Sequence, residues 1–316
     1  MTRLGVIALI VILTPLAASA QLSGSINLGA VGVGSGTQPA PGVYVGFFYY
    51  RYASDETMDG QGRVVIPDPG EPSGLTERGY TPLLFVVTRT KILGATYGFL
   101  IAPTFAGVSL RGSGPGVTRS IGTGIGDLYC VPVNLGWHTQ RADYSAGVGF
   151  YAPTGRYTPG GDNNLGNGMW SNEWSAGTTV FVDRARTWSL ATSAAWELHG
   201  RKSATERTGQ ILSLQGGVGK AYLRGALKVG VAYDAQWKLT RDEFDASAGL
   251  PSAIQPSDKH RVYAVGPDLT LPLATRSALV SVVTIRYLRE FDVRAMPQGG
   301  TLVVMVTFPV PSIPIR

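Results

Sequence analysis

Stretches of alternating apolar and polar or small residues recur along this chain, parted by polar breaks that are by turns long and short. In 188–198, Trp188, Leu190, Thr192, Ala194, Trp196 and Leu198 share one face, and Ser189, Ala191, Ser193, Ala195 and Glu197 share the other. In 226–236, Leu227, Val229, Val231 and Tyr233 oppose Lys228, Gly230, Asp234 and Gln236. In 143–152, Tyr144, Ala146, Val148 and Phe150 oppose Ser145, Gly147, Gly149 and Tyr151. Side chains alternate across a strand, so each stretch reads as a wall with two different faces. The pattern predicts twelve strands, over 43–52, 81–90, 95–110, 124–137, 143–152, 173–183, 188–198, 210–221, 224–238, 260–271, 277–291 and 299–308. They are rich in Val, Tyr, Phe, Trp and Thr, residues that suit a pleated surface.

A soluble sandwich shows the same alternation, and the connections separate the two. Odd-to-even breaks (53–80, 111–123, 153–172, 199–209, 239–259 and 292–298) are mostly long and polar. Even-to-odd breaks (91–94, 138–142, 184–187, 222–223 and 272–276) are short. Long loops on one rim and tight turns on the other characterise outer-membrane barrels. The expected fold is therefore all-β: a transmembrane antiparallel up-and-down β-barrel of about twelve strands, with long extracellular loops and short periplasmic turns. Arg3, the apolar run Gly5–Leu13 and Ala18-Ser19-Ala20 make residues 1–20 an export leader too short to span a bilayer as a helix. The expected organisation is leader 1–20, a periplasmic N-terminal segment 21–42, barrel 43–308 and C-terminal tail 309–316. Aromatics near strand ends, among them Tyr49, Trp137, Tyr144, Trp170, Trp174 and Trp188, suit interfacial girdles. Pro103, Pro132 and Pro267 fall inside predicted strands, where each removes a ladder donor.

Composition narrows the function without naming it. The net charge is +6, but the basic residues are scattered, so a nucleic-acid partner is not expected. The one cysteine, Cys130, cannot close an internal disulfide. His138, His199 and His260 show no metal spacing, no G-x-S-x-G elbow occurs, and the Gly122–Gly126 run lacks the Lys of a phosphate loop. No cofactor, metal or catalytic set is expected. Asp127, Glu197, Lys228, Asp234, Asp268, Arg286 and Glu290 fall on or near polar faces and should point into a lumen. Their mixed signs favour salt bridges that brace the wall over a selectivity ring of one sign.

Gly126–Pro132, Tyr151–Tyr157, Asn163–Gly166 with Trp170 following, and the pair 287–291 and 299–302 resemble the outer-membrane family named for the meta-pathway of phenol degradation. The resemblance covers most of the chain after its leader. It implies a barrel that helps hydrophobic compounds cross the outer membrane during catabolism of aromatics, and it supplies no catalytic residues. Tyr151, Pro153, Thr154, Gly155 and Tyr157, with Asn164, Leu165 and Gly166, mark a strand-to-loop turn and a loop able to fold over the lumen. The expectation is a passive channel for small hydrophobic or aromatic solutes, sited in the outer membrane. Its partners would be outer-membrane lipids and, during biogenesis, the barrel assembly machinery. A non-transporting structural or adhesion barrel is the alternative. An outer-membrane hydrolase, which needs a Ser–His pair at the wall, is the third reading.

Overall fold

The period-two alternation forms one closed antiparallel sheet in the computed structural model, which describes residues 24–65, 72–112, 118–159, 163–202, 206–243, 259–275 and 278–310. The expected leader, and the tail beyond Val310, lie outside the described residues. The strands are β1 (Gly42–Met58), β2 (Pro72–Ile92), β3 (Ala95–Gly112), β4 (Thr118–His138), β5 (Ala142–Ala152), β6 (Ser171–Phe181), β7 (Trp188–His199), β8 (Ile211–Tyr222), β9 (Leu227–Lys238), β10 (Arg261–Ala274), β11 (Leu279–Arg294) and β12 (Met296–Val310). Each pairs with its neighbours in sequence, and β1 closes on β12 from Val43↔Val310 to Met58↔Met296. Closure satisfies every wall strand from both sides and leaves no edge.

The alternation sorts the side chains. Trp174, Leu190, Val231 and Ile285 are exposed on the outer surface, whereas Glu197, Asp234, Asp268 and Arg286 are buried inside. Both chain ends of the barrel, Gly42 and Val310, sit on the rim of short connections. There, Leu93 and Gly94 both take positive φ and turn β2 into β3 in two residues. At the β6–β7 turn, the Trp188 N–H and the Thr187 hydroxyl donate to the Asp183 carboxylate at 2.8 Å each. The Trp188 bond holds that carboxyl below the usual carboxylate range.

Several expected boundaries are corrected. β1 runs to Met58 rather than 52, and β2 starts at Pro72 rather than 81. The 111–123 break narrows, because β3 reaches Gly112 and β4 begins at Thr118. The 292–298 break disappears: β11 and β12 join at Ala295, whose φ is 54° and whose N–H donates to the Asp59 carbonyl at 2.9 Å. The reason is common to all. Beyond the apolar band the outward residues turn polar (Arg51, Asp55, Thr57), so hydropathy marks where the membrane ends and not where the ladder ends. Long connections remain at 59–71, 153–170, 200–210 and 239–260.

The strand prolines stay within strands, and the ladder breaks around them. Pro103 adjoins a register shift between β3 and β4, and Pro132 lies in the shift from Cys130 to Val133 against β5. At Pro267, β10–β11 pairing passes from Val265↔Arg289 to Asp268↔Arg286. Pro82 likewise lies where β2–β3 pairing skips from Tyr80↔Phe105 to Leu84↔Ile101.

The lumen as candidate functional site

The segment before β1 corrects the expected organisation. The expectation of a periplasmic segment over 21–42 fails for its described part, 24–41, which threads the barrel. Wall side chains take its backbone groups one after another. The N–H groups of Ser25 and Ile26 donate to Glu197 at 2.9 and 2.7 Å, and that of Gly29 donates to Asp234. Val31 N–H reaches Gln215 at 3.0 Å, Val33 N–H reaches Asp268 at 3.4 Å, and Gly36 N–H reaches the Thr179 hydroxyl at 3.1 Å. Nearer the short-turn rim, the Thr37 hydroxyl donates to Asp143 at 3.0 Å and Gln38 Nε2 donates to Asn134 Oδ1 at 2.8 Å. The segment closes two turns of its own, Ser35 N–H to the Gly32 carbonyl and Thr37 N–H to the Gly34 carbonyl at 3.0 Å each, but it has no ladder, so its other buried N–H groups need such acceptors.

The predicted charged residues all face inward, but mostly not as braces. Arg286 and Asp268 form a wall-to-wall salt bridge, with Nε–Oδ2 at 2.8 Å and a second contact at 2.6 Å. The Arg286 guanidinium also donates to the Gly29 carbonyl. The others bind backbone or phenols. Lys228 Nζ donates to the Val33 carbonyl at 3.2 Å, and Glu290 accepts from the Tyr52 hydroxyl at 3.1 Å and from Gly299 N–H at 2.6 Å. A salt-bridged wall is thus corrected to one in which charges chiefly hold the internal segment. The physical reason is geometric: an N–H inside the lumen reaches a carboxylate more readily than a lysine on another strand does.

Sequence reasoning missed Glu173, Gln215, Asp143 and Thr179. Glu173 accepts from Tyr129 and Tyr151 at 2.9 and 3.4 Å, and those two rings stack at 4.4 Å between centroids. Its inward parity beside outward Trp174 was the available signal. Apolar groups also face the lumen, with Tyr50, Tyr52 and Val303 clustered on β1 and β12, and Ala232, Ala264 and Leu288 clustered on β9, β10 and β11 among the charged positions. The histidines meet other groups: His199 lies 2.9 Å from Glu197 and from the Gly209 carbonyl, His260 3.0 Å from Gln236, and His138 3.2 Å from Asp143. None of these contacts is the Ser–His pair a hydrolase needs. Among the described residues, no three His, Cys, Asp or Glu side chains gather to hold a metal.

The loop motif forms a clasp over the long-loop end of the lumen. Asp127 on β4 accepts Gly155 N–H at 3.1 Å and Asn167 N–H at 2.7 Å, so one carboxylate ties both legs of the loop. The Thr154 hydroxyl donates to the Gly126 carbonyl at 3.1 Å, and Leu165 N–H donates to the Arg156 carbonyl at 2.9 Å. Asn164 bonds Thr158 in both directions, and the Tyr157 ring packs on Gly168, whose φ is 65°. Asn167 Nδ2 reaches the Ser25 hydroxyl at 3.4 Å, joining loop to internal segment. A Cβ on Gly155 would stand 2.6 Å from Gly166 Cα and 2.8 Å from the Gly126 carbonyl carbon, both backbone. Gly155→Ala is therefore expected to spring the clasp. Limited proteolysis of intact cells should cut the loop at least several-fold faster than in the wild type; an unchanged rate would show that the legs are held without this close approach.

A family model described as "Putative MetA-pathway of phenol degradation" matches residues 54–306. The chain belongs to this family. The solved structure of the COG4313 outer membrane channel from Pseudomonas putida F1 is similar at 16% identity and a TM-score of 0.67, covering 89% of this chain and all (100%) of that one. The transport unit of the autotransporter AIDA-I from Escherichia coli is 9% identical with a TM-score of 0.46, over 91% of this chain and 93% of that one. A FadL homologue from Pseudomonas aeruginosa is 9% identical with a TM-score of 0.40, over 84% and 90%. No curated protein matches. Family and fold together make the chain an outer-membrane β-barrel.

Proposed function

We infer that this barrel passes small hydrophobic or aromatic compounds passively across the outer membrane, along a lumen gated by its own N-terminal segment. The observation that carries the reading is how the segment is held. It shares no strand ladder with the wall: side-chain hydrogen bonds hold it, with Leu28 packed on Met58, Val262 and Val293 and Val33 over Gly217, Gly219 and Gly230, so it can leave without opening the barrel. The apolar strip of Tyr50, Tyr52 and Val303 gives an aromatic solute a surface to pass along, facing the polar strip of Glu197, Gln215 and Asp234. The family's description, which names phenol degradation, supports the same solute class.

The test uses cells whose envelope barrier is intact. Expression of the chain should raise the initial uptake rate of N-phenyl-1-naphthylamine, an aromatic probe that fluoresces on reaching inner lipid, several-fold over cells lacking it. No increase, with the folded barrel confirmed by a boiling-dependent gel shift, would sink the reading and favour a non-transporting structural barrel.

A further inference from the structure

The outward residues of β1, β2 and β11 change character at one height. On β1, Val45, Phe47 and Tyr49 give way to Arg51. On β2, Leu84 and Tyr80 give way to Arg78, and on β11, Ile285 and Tyr287 give way to Arg289. From Val43 to Arg51 is about nine residues, close to the ~9–11 that a tilted strand needs to cross a bilayer. The Tyr49 and Tyr80 rings meet at 5.3 Å directly beneath Arg51 and Arg78, where an aromatic girdle belongs. The three arginines therefore stand at headgroup level on the long-loop rim, which faces outward in such barrels.

Arg51 and Arg78 are paired in register across the β1–β2 ladder, and like charges so placed repel. All three arginines are exposed, and none makes an ion pair among the described residues. Neighbouring acids are engaged elsewhere: Asp55 pairs with Arg111, and Glu290 points inward to Tyr52. Between Arg51 and Arg289 runs β12, which presents outward Leu302, opposite Arg51 and Tyr287, and then Gly300, opposite Ala53 and Arg289. The Tyr287 hydroxyl lies over Gly300, 2.6 Å from where a Cβ would stand. The result is a shallow bare patch carrying a phenol donor, flanked by guanidinium groups.

We propose that this patch binds the phosphorylated sugar headgroup of an outer-leaflet glycolipid. Guanidinium forks match phosphate oxygens bidentately, and a phosphate between Arg51 and Arg78 removes their repulsion. From β2 to β11 is three inter-strand steps, roughly 14 Å, wider than one phosphate and suited to two on a rigid sugar backbone.

Native mass spectrometry of the full barrel in detergent tests this with bisphosphorylated lipid A, the same lipid stripped of phosphate, phosphatidylglycerol and inorganic phosphate. The wild type should retain bisphosphorylated lipid A at least tenfold more strongly than either other lipid, and millimolar inorganic phosphate should not displace it. An R51Q/R78Q/R289Q variant that keeps the boiling-dependent gel shift should lose that preference. Equal retention of the dephosphorylated lipid by the wild type would overturn the proposal whether or not the variant folds. Equal retention of phosphatidylglycerol would overturn the glycolipid assignment, and undiminished binding by the folded variant would overturn the arginine site. None of these readouts depends on solute passage.

Discussion

Removal of residues 24–38 is expected to raise the single-channel conductance of the barrel in planar bilayers by roughly tenfold, because a chain that fills the lumen leaves ions only the gaps beside it. The argument does not rest on a deletion alone. Glu197 takes two N–H groups of the segment and Asp234 takes a third. A hydrogen bond contributes ~0.5–1.5 kcal/mol net, so losing one shifts the equilibrium between seated and released segment by roughly two- to tenfold. Asp234→Asn and Glu197→Gln should therefore each increase the fraction of time spent in the high-conductance state, with the deletion as the upper limit. An unchanged conductance in the deletion variant would mean that wall side chains close the lumen by themselves, and the gating part of the proposed function would fail.

What the sequence disclosed followed from its strongest periodicities. Twelve strands, their inward and outward faces and the asymmetry of most connections were legible because burial in lipid on one side and a polar lumen on the other write a period of two. Where that contrast stops, legibility stopped too. Arg51, Asp55 and Thr57 are outward but lie above the apolar band, so β1 looked finished six residues before Met58. The β11–β12 connection looked long because Asp292, Arg294 and Gln298 are polar, although the ladder continues through them to a turn at Ala295.

The site was half legible for a related reason. Inward parity marks Glu197, Asp234, Asp268, Arg286 and Glu290, and all five side chains are buried. Their partners were not readable, since residues 24–41 are rich in Gly and hold no charged residue, and Leu28 packs on Met58, Val262 and Val293 from strands far away in sequence. Many of its hydrogen bonds to the wall use backbone N–H groups, and those are the same at every position. The acids that serve them looked like halves of salt bridges. The loop motif was read as a turn from Pro153 and Gly155; that Gly155 must also touch Gly166, with Asp127 between the legs, depends on a contact between distant stretches of chain.

Arg286→Met should be the most destabilising single change in the wall. The guanidinium is buried against Asp268, which is buried in turn, and it also donates to the Gly29 carbonyl. Methionine of similar length removes the charge and leaves the Asp268 carboxylate uncompensated, a change that costs ~3–5 kcal/mol when one member of a buried pair is lost. The urea midpoint of the barrel in detergent micelles should fall accordingly. Removing both charges in R286M/D268L should restore much of that loss, because two apolar side chains need no partner and an intact buried pair contributes little net stability. The internal segment separates this from a purely structural effect. The double variant still lacks the acceptor for Val33 N–H and the donor for the Gly29 carbonyl, so it should regain stability while its lumen stays more open than the wild type's. A double variant as unstable as R286M would instead place the cost in lost packing, and one with wild-type conductance would show that these two contacts do not hold the segment in place.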